Sequence, residues 1–174
     1  MTLVVHASKY GSAQRYAEWI AESIEAPVTS SDEVDAQRLA DEDLVVFCAS
    51  IYGPKLRDCS ILRDAMGRGS RTRWVLVTVG LSDPALSTKR DELVAAKFDE
   101  DLRQRLEVVH LRGAMDRDRL SLVEKSMMAG IRTALAAKRD RTAEDQAMLD
   151  VLEPVRVDLT DRAAIAPVVE ACLR

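Results

Sequence analysis

The 174-residue chain predicts an α/β fold of three layers, a parallel sheet between two sets of helices, and three observations carry that reading. Short aliphatic and β-branched runs, each followed by turn residues, occur at Leu3 to His6, Leu44 to Ala49 and Trp74 to Val79, and a fourth, Leu106 to Leu111, ends at Arg112-Gly113. Segments with helical apolar spacing lie between them. Strand and helix therefore alternate, the pattern of a doubly wound sheet.

Taken in order, the first run is followed by a helix over Ser12 to Ile24, where Tyr16, Ile20 and Ile24 recur every four residues. Pro27 to Ser30 forms a short second strand at an edge. Further helices are expected at Ser60 to Met66 and Leu93 to Arg105. Past Gly113 the pattern changes: Leu120, Val123, Met127, Met128, Ile131 and Leu135 recur at spacings of three and four, giving an amphipathic helix of about four turns. A short helical piece near Asp145 to Leu152, a strand at Val155 to Leu159 and a closing helix from about Asp161 complete the chain. Thr160 or Asp161 caps that last helix, and Pro167 kinks it or delays its start. No repeat, low-complexity tract or linker interrupts the sequence. One domain over residues 1–174 is expected, with a helical insert at about 114–152 ahead of the last strand.

Composition narrows the function. The net charge of −4 argues against nucleic acid as a partner, because phosphate binding needs concentrated positive charge. Charge is uneven, however: residues 112–141 carry a net +4 and the remainder −8. No apolar run approaches the roughly 18 residues of a membrane span, and no basic leader precedes the first strand. A cytoplasmic protein is expected, at most peripheral to the inner face of a membrane. Cys48, Cys59 and Cys172 show neither disulfide nor zinc spacing.

The chemistry is expected at Ser8-Lys9-Tyr10-Gly11-Ser12-Ala13, where a buried strand ends in a polar loop that opens into a helix. Backbone N–H groups at a helix start, backed by the helix dipole, hold a dianion with little side-chain charge. Three families that use this turn are excluded. A dinucleotide-binding loop needs G-x-G-x-x-G, yet Gly11 is the only glycine before Gly53. A nucleotide-hydrolysing P-loop needs Gly-Lys, which occurs nowhere in the chain. A receiver domain needs acidic residues at the ends of the first and third strands, which here read His6-Ala7-Ser8 and Ser50.

The loop that survives resembles the first loop of the flavodoxin-like superfamily, roughly [ST]-x-T-G-x-T, which grips the phosphate of FMN. Tyr10 and Ala13 stand where that pattern has threonines, removing two hydroxyl donors but no backbone donor. Lys9 either adds a cation beside the phosphate or points into water. The resemblance implies a five-stranded parallel sheet of order 2-1-3-4-5, whose loops after strands 1, 3 and 4 converge on one ligand. After strand 3 stands Ser50-Ile51-Tyr52-Gly53-Pro54, offering an aromatic face and a close backbone approach to a flavin; after strand 4 stands Gly80-Leu81-Ser82-Asp83-Pro84. Tyr16 to Ala21, Ile51-Tyr52-Gly53 and Arg112-Gly113-Ala114-Met115 together look like the branch that contains the bacterial menaquinone-dependent protoporphyrinogen oxidases. That likeness implies an oxidoreductase that dehydrogenates protoporphyrinogen IX and passes electrons to a quinone. An electron carrier serving a redox protein partner, or a domain of this fold that has lost FMN, are the alternatives.

Other conspicuous residues have plainer readings. His6 is expected to pack and bond to backbone, Trp19 to cover the sheet, Cys48 to sit inert in the core, and Asp83-Pro84 to form a turn. Cys59, beside Arg57, is the more reactive thiol. The helix at 120–137 is expected to pack its apolar stripe on the sheet with its arginines solvated. The sharper alternative gives Arg112, Arg117 and Arg119 to substrate carboxylates or to an anionic lipid surface.

Overall fold

Successive residues of the central strands enter opposite cores. In β3 (Leu44–Tyr52), Val45, Phe47 and Ala49 belong to one buried cluster, and Leu44, Val46 and Cys48 to the other. This two-residue period, apolar on both faces, is what a sheet covered on both sides requires. The computed structural model describes residues 1–53, 55–68, 71–86 and 88–174.

Five parallel strands, β1 (Thr2–Ala7), β2 (Val28–Ser30), β3, β5 (Arg73–Gly80) and β6 (Leu106–Arg112), run in the order β2-β1-β3-β5-β6. This is the expected 2-1-3-4-5 order, with Val28–Ser30 at the edge. The two-residue β4 (Lys55–Leu56) folds back antiparallel on the end of β3, pairing Ile51 with Leu56 and Tyr52 with Lys55. Helix α1 (Ser12–Ser23) and the closing α8 (Ala166–Leu173) cover one face through Tyr16, Ile20, Val168 and Ala171. The other face is covered by α2 (Ala36–Ala40), α3 (Cys59–Met66), α4 (Thr88–Ala95) and α5 (Glu100–Gln104), which contribute Leu39, Leu62, Met66, Val94 and the partly buried Leu102.

Several expectations are corrected. The single helix over Leu93 to Arg105 is two: Phe98 drops into the core between them, and the Asp99 side chain accepts the Leu102 N–H to start α5 afresh. The strand at the C-terminal end does not join the parallel sheet. β8 (Arg156–Asp158) pairs antiparallel with β7 (Ala114–Asp116) in a separate ribbon, so the helical insert follows the fifth parallel strand instead of preceding it. Pro167 delays the last α-helix, as expected: a 3-10 turn over Arg162–Ile165 precedes it, started by the Asp161 side chain on the Ala163 N–H. His6 Nδ1 is buried with no hydrogen-bond partner among the described residues, where a backbone bond was expected. Cys59 faces the core, and burial pushes its thiol up to about 12, opposite to a reactive cysteine.

The insert holds α6 (Leu122–Ala137) and α7 (Ala143–Leu152). Each begins with a reciprocal capping box, Ser121 with Glu124 and Thr142 with Asp145. Its apolar stripe does not lie on the sheet. It faces the ends of the strands across a gap, which sets up the site.

Candidate functional site

The carboxyl ends of β1, β3, β5 and β6 point to one side of the molecule, and the α6–α7 cap stands over them. Between lies a cavity of about 850 Å³, within the range of small-molecule sites. Its floor is built from the loops after the strands: Lys9, Tyr10 and Ser12; Ser50, Ile51, Tyr52 and Gly53; Gly80, Leu81 and Ser82. Its roof is the insert, through Met127, Met128, Ile131 and Leu135 of α6 and Met148 and Leu152 of α7. Ten of the thirteen residues expected at the site therefore line one space. Pro54 lies outside the described residues.

The remaining three, Ser8, Gly11 and Ala13, do not line the cavity and lie in and just after the turn into α1. Ser8 Oγ accepts the Gly11 N–H at 3.1 Å and closes the loop. Gly11, with φ of 96°, turns the chain into α1 through a left-handed conformation that side chains disfavour, and a Cβ there would meet nothing within 4 Å. The helix that begins at Ser12 has no side-chain cap, so none of its first N–H groups is taken by a capping side chain. Ala13 is fully buried in the core and does not line the cavity. Ser12 Oγ accepts the Ala114 N–H at 3.0 Å, tying the start of α1 to β7 instead of waiting as a free hydroxyl.

Lys9 lines the cavity and is engaged by the cap. Its ammonium sits 2.7 Å from Glu124 Oε1 and 4.3 Å from the centre of the Tyr52 ring. The Tyr10 hydroxyl donates to the same carboxylate oxygen at 2.5 Å. Glu124 is buried, and these donors together with the Ser121 N–H hold its carboxyl well below the usual carboxylate range, Lys9 contributing most. Lys9 is raised in turn, chiefly by Glu124.

Two further anchors shape the floor. His110 is buried, with Nδ1 2.9 Å from both Thr78 Oγ1 and Thr78 O, and Nε2 3.1 Å from Ser82 Oγ and 3.2 Å from Ser82 O. It fixes the loop after β5 to β6. Burial, assisted by Arg90 and Arg112, lowers the His110 pKa, so the ring is neutral at pH 7. The Tyr16 hydroxyl donates to Arg112 O at 2.8 Å and accepts the Asp161 N–H at 3.0 Å, pinning α1, β6 and the approach to α8 behind the loop.

The roof and Glu124 were missed as site residues. Their signal was present, since the Met127, Met128, Ile131 and Leu135 spacing announced an apolar face, but spacing does not say what that face meets. The insert's Arg117 and Arg119, like Arg112, are absent from the cavity wall among the described residues. Arg117 is held instead by the Glu153 carbonyl, and Asp116 and Asp118 pair with Arg156.

The residues fit FMN at three points: a helix start without a side-chain cap, an aromatic-glycine loop, and an apolar cavity that reaches both. A search of curated proteins finds no match. Among solved structures, the chain is similar to a flavodoxin from Streptococcus pneumoniae TIGR4 at 16% identity, covering 62% of this chain and 78% of that one with a TM-score of 0.47. It is similar to oxidised flavodoxin 1 from Bacillus cereus at 23% identity, covering 74% and 93% with a TM-score of 0.42. Rubredoxin oxygen:oxidoreductase from Desulfovibrio gigas matches at 11% identity, covering 99% of this chain and 36% of that one with a TM-score of 0.47. The family model described as a flavodoxin domain matches residues 3–142, and the chain belongs to the flavodoxin-domain family.

Proposed function

We propose that the protein is an FMN-dependent oxidoreductase that reduces or oxidises an apolar small molecule in the space under the cap. The observation that carries this reading is the cavity itself, with an uncapped helix start at one end and a roof of Met127, Met128 and Ile131. When bound, FMN supplies the electron transfer. The chain's residues would do the rest: the loop from Ser8 to Ala13 and the start of α1 would hold the phosphate, and the loops at Tyr52-Gly53 and Gly80-Leu81 would flank the ring system. The α6 stripe excludes water and presents an uncharged surface to the second ligand.

A quinone suits the apolar roof, and Arg112, Arg117 and Arg119 are not among the residues that line the cavity, whose cations are Lys9 and Lys89. Protoporphyrinogen oxidation and peripheral membrane contact through the insert are the narrower forms of this proposal. A carrier of electrons to a protein partner is less supported, since α6 and α7 cover the face such a partner would approach. Anaerobic reduction of the bound flavin followed by a water-soluble quinone analogue tests the enzyme reading. Rapid reoxidation is expected, and a flavin that stays reduced would overturn it.

A further inference from the structure

Tyr10 stands where the phosphate-loop pattern has a threonine, and it and its neighbour Lys9 point to the same atom of the inserted cap. Glu124 is the third residue of α6. Its Oε2 accepts the Ser121 N–H at 2.8 Å, and its Oε1 accepts Lys9 Nζ at 2.7 Å and the Tyr10 hydroxyl at 2.5 Å. The carboxylate is 3% exposed, so these bonds replace its hydration. Lys9 also covers the Tyr52 ring, so one cluster joins the loop after β1, the loop after β3 and the cap.

We propose that Glu124 is a positioning residue that couples the cap to the cofactor loop, so that binding of a phosphate-bearing flavin and docking of α6 reinforce each other. The inference rests on the FMN reading above. Two physical arguments give the coupling its sign. The turn from Ser8 to Gly11 sets both the direction of the first N–H groups of α1 and the direction of the Lys9 and Tyr10 side chains, so a ligand that orders the turn also orders the latch. The α6 stripe faces the apolar cavity, and a ring system beneath it would add van der Waals contacts to Met127, Met128 and Ile131. Like-charge repulsion between Glu124 and a phosphate opposes this, but Lys9 lies against the carboxylate and neutralises it. Coupling of this kind is reciprocal: whatever loosens the cap weakens the cofactor, and the reverse.

The test measures FMN and riboflavin affinity by fluorescence quenching, together with hydrogen exchange over residues 117–152, in the full-length wild type, Glu124→Gln and Tyr10→Phe. In the wild type, FMN is expected to slow exchange across α6 by about tenfold, and riboflavin, lacking the phosphate, by less. Glu124→Gln is expected to weaken FMN by about tenfold, the size of one charge-assisted hydrogen bond, and riboflavin by less than about threefold. Tyr10→Phe, which keeps the ring and removes one bond, is expected to give about a threefold loss and guards against a Glu124 variant that folds poorly. A merely structural role would weaken both flavins equally. Exchange in α6 that ignores FMN, or a Glu124→Gln protein that binds FMN as well as or better than the wild type, overturns the coupling while leaving the FMN site intact. A wild type that binds no FMN overturns the site, and the coupling with it.

Discussion

The sulfur of Met127 lies 3.3 Å from where a Cβ on Gly53 would stand. The cap and the loop after β3 are thus in contact at Gly53, whose backbone is left-handed, φ 55°. Gly53→Ala meets two penalties, a disfavoured conformation worth roughly 1–2 kcal/mol and a displaced methionine. We expect a fall in melting temperature of a few degrees and faster exchange in α6. Adding Met127→Ala should restore the cap's protection but not the backbone cost, which separates the two contributions.

Tyr16→Phe removes a hydroxyl that serves both Arg112 O and the Asp161 N–H. Both partners lie in part-buried surroundings, and leaving them unpaired should cost about 2 kcal/mol in urea denaturation. The ring and its edge-on contact with Trp19, centroids 5.4 Å apart, survive the change. An unchanged midpoint would show that the junction of α1, β6 and α8 is held by packing alone.

His110 gives stability a pH dependence. Its folded pKa lies below the ordinary 6.5, so the unfolded chain binds the proton more readily. The contribution of the neutral ring is complete above pH 6.5 and is lost as pH falls through the interval down to the folded value. Urea midpoints of the wild type should therefore drop more between pH 7.5 and 5.5 than those of His110→Gln. Equal drops would mean that other groups carry the dependence.

Ile131→Asp places a carboxylate on the roof, away from the phosphate loop. FMN affinity should fall several-fold through the loosened cap, while reduction of a quinone analogue by the FMN-saturated protein falls further, by about a hundredfold. Equal loss of both would show that the roof serves the cofactor and not a second ligand.

Much of the frame was legible because burial on both faces writes itself into β-branched runs such as Val45-Val46-Phe47, and because α1 repeats Tyr16 and Ile20 on one face. The cradle was legible for a similar reason, since few residue types permit the Gly11 turn. Where the reading failed, the missing quantity was a partner. A stripe at Met127, Met128 and Ile131 states that a face is apolar without stating whether sheet or ligand lies opposite. Val157 could not announce that β8 pairs with Met115 in a ribbon, because a three-residue strand has the same pattern in either setting. Tyr10 looked like a loss from a phosphate loop, and the partner of Lys9 could not be named, until Glu124, more than a hundred residues away, was placed against both. Phe98 ended α4 by entering the core, an event decided by tertiary packing over local propensity.

Titration of the purified protein with FMN, followed by quenching of flavin fluorescence and compared with Gly11→Ala, bears most directly on the cradle. The geometry predicts saturable quenching with a dissociation constant below about 10 μM and a loss of about tenfold or more in the variant, whose alanine resists the 96° turn. Fluorescence that stays unquenched at millimolar protein, or a Gly11→Ala protein that binds as tightly as the wild type, would contradict it.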